Sequence, residues 1–135
     1  MDKKNKNREQ LKTMYVEYNL CPDDVFTHKN YLILTRSGIE KIMAKSEIKV
    51  TFEVIRSERD FASVIATSHY GDKTLETTGS ALRGATYKEG NTQSHYVLEM
   101  AEKRSMARAV LKILNLYEIG VKTEDEADEF IENEY

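Results

Sequence analysis

Arg104, Arg108 and Lys112 stand four residues apart in the stretch Gln93 to Tyr117. That spacing stacks the three cations along one edge of an α-helix, where like charges repel unless something anionic compensates them. The apolar residues Tyr96, Met100, Ala107, Leu111 and Leu114 recur at helical spacing beside them, and Val110 and Tyr117 widen the stripe. A solvated flank whose long stems cover apolar neighbours is the alternative for such an edge. Other reactive types are sparse. Cys21 is the single cysteine, and with three scattered histidines, His28, His69 and His95, no metal-ligand spacing is visible. Gly79 and Gly84 have neither the spacing nor the Lys-Ser/Thr ending of a phosphate-binding loop. His95 and Glu99 lie one turn apart and could act as base and orienter, although such a pair more often makes only a helix-surface contact. No enzyme, no metal and no cofactor are expected.

The elements that would carry the cations follow from periodicity. Leu11, Met14, Tyr15 and Tyr18 suit a short amphipathic helix that stops near Cys21-Pro22-Asp23-Asp24, and Tyr31–Thr35 reads as a buried strand. Ser37 with Glu40 three places on forms a capping box for a helix bearing Ile39, Ile42 and Met43. Three strands are then expected. Ile48, Val50, Phe52 and Val54 alternate with polar neighbours, Phe61–Tyr70 is rich in β-branched and small residues, and Lys73–Ala81 follows Gly71-Asp72 as the second half of a hairpin. Gly84–Thr92 is a polar loop, and the long helix closes the core near Leu116. An α+β fold is expected, an antiparallel β-meander with the long helix packed across one face.

The chain of 135 residues suits one domain, with a basic disordered tail at 1–9, a core at 10–117 and an acidic tail at 118–135. The net charge of −3 divides unevenly: from Glu118 onward eight acidic residues face the single Lys122, and the preceding residues hold 19 basic and 15 acidic ones. A mildly basic body with an acidic end is a recurring arrangement in proteins that touch nucleic acid. No apolar run is long enough to span a membrane, the polar start is no secretory signal, and a reducing, cytoplasmic setting is expected.

Further cations recur at strand ends and loops: Arg56 and Arg59, Lys73, Arg83 and Lys88, with Tyr70, Tyr87 and Tyr96 among them. Phosphates favour cations spread along a path, and unstacked bases favour exposed aromatic faces. Of the tyrosines, Tyr70 and Tyr87 are the expected stacking platforms. The body's small positive charge suits a ring or filament of many copies better than an isolated monomer.

From about Asp24 to Leu116 the chain resembles the single-strand DNA annealing superfamily of the Rad-fifty-two and phage Erf and Sak types. The resemblance rests on Lys29-Asn-Tyr-Leu-Ile-Leu-Thr-Arg-Ser-Gly-Ile-Glu-Lys-Ile-Met43, the strands that follow, Gly79-Ser-Ala81, and Met100-Ala-Glu-Lys-Arg-Ser-Met-Ala-Arg-Ala-Val-Leu111. It implies a β-β-β-α core, assembly into rings or filaments, and annealing of single strands without ATP or a metal in phage or prophage recombination. It places Arg108, with Arg104 and Lys112 beside it, among the cations lining the family's DNA groove. Thr123 to Glu126 forms another capping box, and Phe130 and Ile131 mark an apolar face on the acidic tail, expected to dock on a partner or on a basic groove. The rival expectation is a protein-interaction module, an inhibitor or adaptor, that uses the same fold without annealing DNA.

Overall fold

The computed structural model describes residues 3–28, 31–86 and 88–126. It is α+β, as expected, and divides into two compact units: residues 49–109, and residues 1–48 with 110–135.

The second unit, residues 49–109, holds an antiparallel meander of β3 (Lys49–Ser57), β4 (Phe61–Tyr70) and β5 (Lys73–Leu82). The hairpin falls where expected, with Tyr70 opposite Lys73 and Gly71 at φ +57°, a left-handed conformation that glycine adopts without steric penalty. Period-two alternation sends Ala62, Val64, Ala66 and Ser68 of β4 to a buried face. On that face α3 (Val97–Ile113) packs, its Val97 and Ala101 joining Ala62, Val64 and Ala81 in one apolar cluster. The approach of helix to strand is close because Gly79 carries no side chain: a Cβ there would lie 2.5 Å from the Ser105 nitrogen. Thr77 lies beside it and donates its hydroxyl to the Ser105 carbonyl at 2.8 Å. α3 is shorter than the expected Gln93–Tyr117. Tyr96 is already exposed, and its N–H bonds to the Ser94 hydroxyl.

β3 contains a bulge. Val54 faces Val64 and Arg56 faces Ser63, so Ile55 is the extra residue. The insertion flips the strand's parity: Val50, Phe52 and Val54 share the helix-bearing face, whereas Arg56 emerges on the opposite one. There its guanidinium stacks on Phe61, 5.4 Å from the ring centre.

The first unit contains α1 (Lys3–Glu17), β1 (Val25–His28), β2 (Tyr31–Leu34), α2 (Arg36–Ser46), the end of α3, a 3₁₀ turn at Leu116–Ile119 and β6 (Val121–Thr123). β2 pairs antiparallel with β1 and parallel with β6, so Leu34 faces both Val25 and Thr123. Ile33, Leu34, Ile39, Ile42, Leu111 and Val121 are among its fully buried side chains. α1 begins within the stretch expected as a basic tail, and β6 lies within the expected acidic tail.

The expected cap of α2 is corrected. Thr35 is the N-cap, its hydroxyl accepting from the Gly38 N–H, and Ser37 lies inside the first turn. Ser37 instead donates to the buried carboxylate of Asp24 at 2.6 Å. Thr35→Ala is expected to destabilise the first unit by about 1 kcal/mol, measurable as a lowered denaturant midpoint. The second capping box is present: the Thr123 N–H donates to the Glu126 carboxylate, and the Glu126 N–H to the Thr123 hydroxyl.

Candidate nucleic-acid interface

Arg104 and Arg108 lie one helical turn apart on α3, roughly 6 Å along the axis, and both reach β5. Arg104 donates through Nη1 to the Ser80 carbonyl at 2.9 Å and through Nη2 to the Asn91 carbonyl at 2.8 Å. Arg108 donates through Nη1 to the Thr78 carbonyl at 3.2 Å. Alternate residues of a strand direct their backbone groups to the same side, so the two arginines serve the same edge of β5.

These bonds do two things. They cover carbonyls that an edge strand otherwise leaves open, and they hold each guanidinium in one orientation. A carbonyl dipole orients a cation without cancelling its charge. Among the described residues Arg108 takes part in no ion pair, so its formal charge remains available to an anion. Guanidinium is also the cationic group whose planar fork suits phosphate. Lys112, the third member of the expected stripe, is exposed but belongs to the first unit.

Asn91 extends the seal. Its side-chain oxygen accepts from the Leu82 N–H at 2.8 Å, and its own N–H donates to the Leu82 carbonyl at 2.8 Å. The segment expected as a loop is thereby fastened to the strand end, with Gly84 bonded to Thr92 and Gly90 to Thr86. Asn91 was not among the expected site residues. An asparagine after a glycine in a polar segment signals only a turn, and its partner is nine residues away.

The remaining cations do not form one track with these. Arg83 pairs with Asp60 at 3.3 Å and lies 3.4 Å from His95 Nε2. The Asp60 contact joins the β3–β4 turn to the end of β5, and His95, considered for a pair with Glu99, lies before the start of α3. Arg56 pairs with Glu58 besides stacking on Phe61, and Arg59 is exposed in the same turn. Lys73 and Tyr70 sit at the hairpin tip, the far end of β4, about 30 Å from Phe61 at 3.3 Å per residue. Tyr70 is 36% exposed, which leaves a face open. Lys88 is exposed. Tyr87, Phe130 and Ile131 lie outside the described residues.

Strand order accounts for this scatter. Arg56, Arg59 and Arg83 gather at one end of the sheet because the β3–β4 turn and the end of β5 meet there. Lys73 and Tyr70 are carried to the other end by the hairpin. Between them runs the seam of α3 on β5, with Arg104 and Arg108. No helix among the described residues is long and apolar enough to cross a membrane. Comparison with family models, with curated proteins and with solved structures returns no match.

Proposed function

We propose that the second unit binds single-stranded nucleic acid by its phosphate backbone along the α3–β5 seam and promotes annealing of complementary strands as an assembly of two or more copies. The observation that carries this reading is the fixing of Arg104 and Arg108 by β5 carbonyls. Two oriented side chains on one helix edge cost less conformational entropy on binding than free ones do, and a carbonyl bond leaves the charge of Arg108 intact. The order of elements, three meandering strands followed by a long helix, matches what the resemblance to annealing proteins implies. Arg59 adds an exposed cation at one end of the sheet and Lys73, beside Tyr70, at the other, whereas Arg56 and Arg83 are paired with Glu58 and Asp60. Holding a strand by its phosphates leaves the bases free to pair, and annealing follows without a catalytic residue or a cofactor.

The test is a labelled single-stranded oligonucleotide titrated at low salt, followed by the rate at which it anneals to its complement. Binding and faster annealing are expected. Arg108→Ala should weaken binding roughly fivefold, uniformly across sequences, because the contact is to phosphate. Absence of binding at low salt would reject the reading.

A protein-interaction module is the second reading. The exposure of Phe52, Val54 and Ile55 on β3 favours it, since clustered apolar surface marks contact sites. An interaction module binds no oligonucleotide at any salt concentration.

A further inference from the structure

The two edges of the meander are treated differently. Along Thr78–Leu82, β5 is sealed by Arg108, Arg104 and Asn91. β3 pairs only with β4 among the described strands, and every residue from Thr51 to Asp60 is exposed. Its helix-face residues Phe52 and Val54 are 38% and 50% exposed. An open edge bearing apolar side chains is a template for another strand.

The sequence of that edge suits a copy of itself. Lys49-Val50-Thr51-Phe52-Glu53 runs basic, apolar, polar, apolar, acidic, and this order is complementary when reversed. We infer that β3 pairs antiparallel with β3 of a second copy about a two-fold axis at Thr51. Lys49 of each copy then faces Glu53 of the other, on the face opposite the helix, and Val50 faces Phe52 on the helix-bearing face. Neither Lys49 nor Glu53 is in an ion pair among the described residues, so both charges are available. Shifting the axis to Phe52 loses both ion pairs, and shifting it to Glu53 sets the two carboxylates against each other. The bulge at Ile55 ends the regular stretch just beyond the paired segment.

Sealing of β5 decides the symmetry. A head-to-tail chain with β3 of one copy on β5 of the next would have to displace the arginine and asparagine bonds along Thr78–Leu82. Pairing β3 with β3 displaces none, and it closes at two copies. This dimer does not depend on nucleic-acid binding: it is read in the absence of any oligonucleotide.

Particle mass of the full chain at micromolar concentration, by light scattering and sedimentation, is the test. Wild type should give a concentration-dependent two-chain species. Lys49→Glu and Glu53→Lys each place like charges opposite one another twice, and each should weaken self-association about tenfold. An equimolar mixture of these two variants restores both ion pairs and should recover the two-chain species, as should Lys49→Glu/Glu53→Lys on one chain. Both sites are exposed, and unchanged circular dichroism would establish that the variants fold. A wild type that stays monomeric, a mass indifferent to the single reversals, or a mixture no more associated than its components would overturn the proposal.

Discussion

Gly79→Ala is expected to destabilise the second unit by about 3 kcal/mol, and Gly79→Val by more. The added Cβ would overlap the Ala101 carbonyl oxygen and lie 2.5 Å from the Ser105 nitrogen, both helix backbone atoms that cannot rotate away. α3 would have to lift from β5. Lifting lengthens the Thr77–Ser105 hydrogen bond and draws Arg104 and Arg108 off the Ser80 and Thr78 carbonyls. Gly71→Ala makes the contrast. Nothing lies within 4 Å of a Cβ there, and the penalty is only the positive φ, about 1 kcal/mol. One glycine is required for space and the other for conformation. Equal losses in denaturant midpoint for the two alanine variants would refute the close approach of helix and strand.

Asp24→Asn is expected to cost the first unit about 2–3 kcal/mol near neutral pH, from lost hydrogen bonds to a charged group. Asp24 is 1% exposed, and its carboxylate accepts from Lys41 Nζ at 2.6 Å, Ser37 Oγ at 2.6 Å and the Cys21 N–H at 2.9 Å. The Lys41 bond, then the Ser37 and Cys21 bonds, hold its pKa well below the usual carboxylate range against the opposing effect of burial. Lys41 is correspondingly raised, chiefly by the same bond.

The sign of the pH dependence follows. Because the folded state favours the ionised carboxylate, the stabilisation is fully present above the ordinary carboxylate pKa of about 4. It declines as pH falls below that value toward the depressed one. The gap in unfolding free energy between wild type and Asp24→Asn should therefore narrow from pH 7 to pH 3. A gap of the same size at both values would show that the carboxylate's charge does not contribute.

Local signals made most of the second unit legible. The alternation in β4 and the Gly71-Asp72 turn specify a hairpin through contacts close in sequence. The apolar stripe of α3 specifies a helix, but its ends depend on how Ser94 and Thr92 spend their hydroxyls, which periodicity does not report. The apolar alternation of β3 breaks at Val54-Ile55, but sequence alone does not say which residue the partner strand skips, so the face taken by Arg56 was not readable. β6 was illegible for a different reason. Three residues pair in parallel with Leu32–Leu34 across some ninety positions, and a segment so short has no period of its own. Asp24 reads in sequence as part of a Pro-Asp-Asp stop, and only the approach of α2 turns it into a buried anion.

The arginine stripe was readable as charge but not as architecture. Spacing puts Arg104 and Arg108 on one edge. The fold sets that edge over the carbonyls of β5, and the same residues close a sheet edge. Arg104 makes two backbone bonds and holds the segment at Asn91, so its removal would alter stability as well as binding. Arg108 makes one, which makes it the cleaner probe.

The most direct measurement is the salt dependence of oligonucleotide affinity for wild type and Arg108→Ala, each first checked for folding. Each phosphate contact to a single strand contributes about 0.7 to the slope of log affinity against log salt concentration. If Arg108 meets the phosphate backbone, the variant's line should be shallower by about that amount and the two should converge at high salt. Parallel lines would contradict a nucleic-acid interface on the α3–β5 seam.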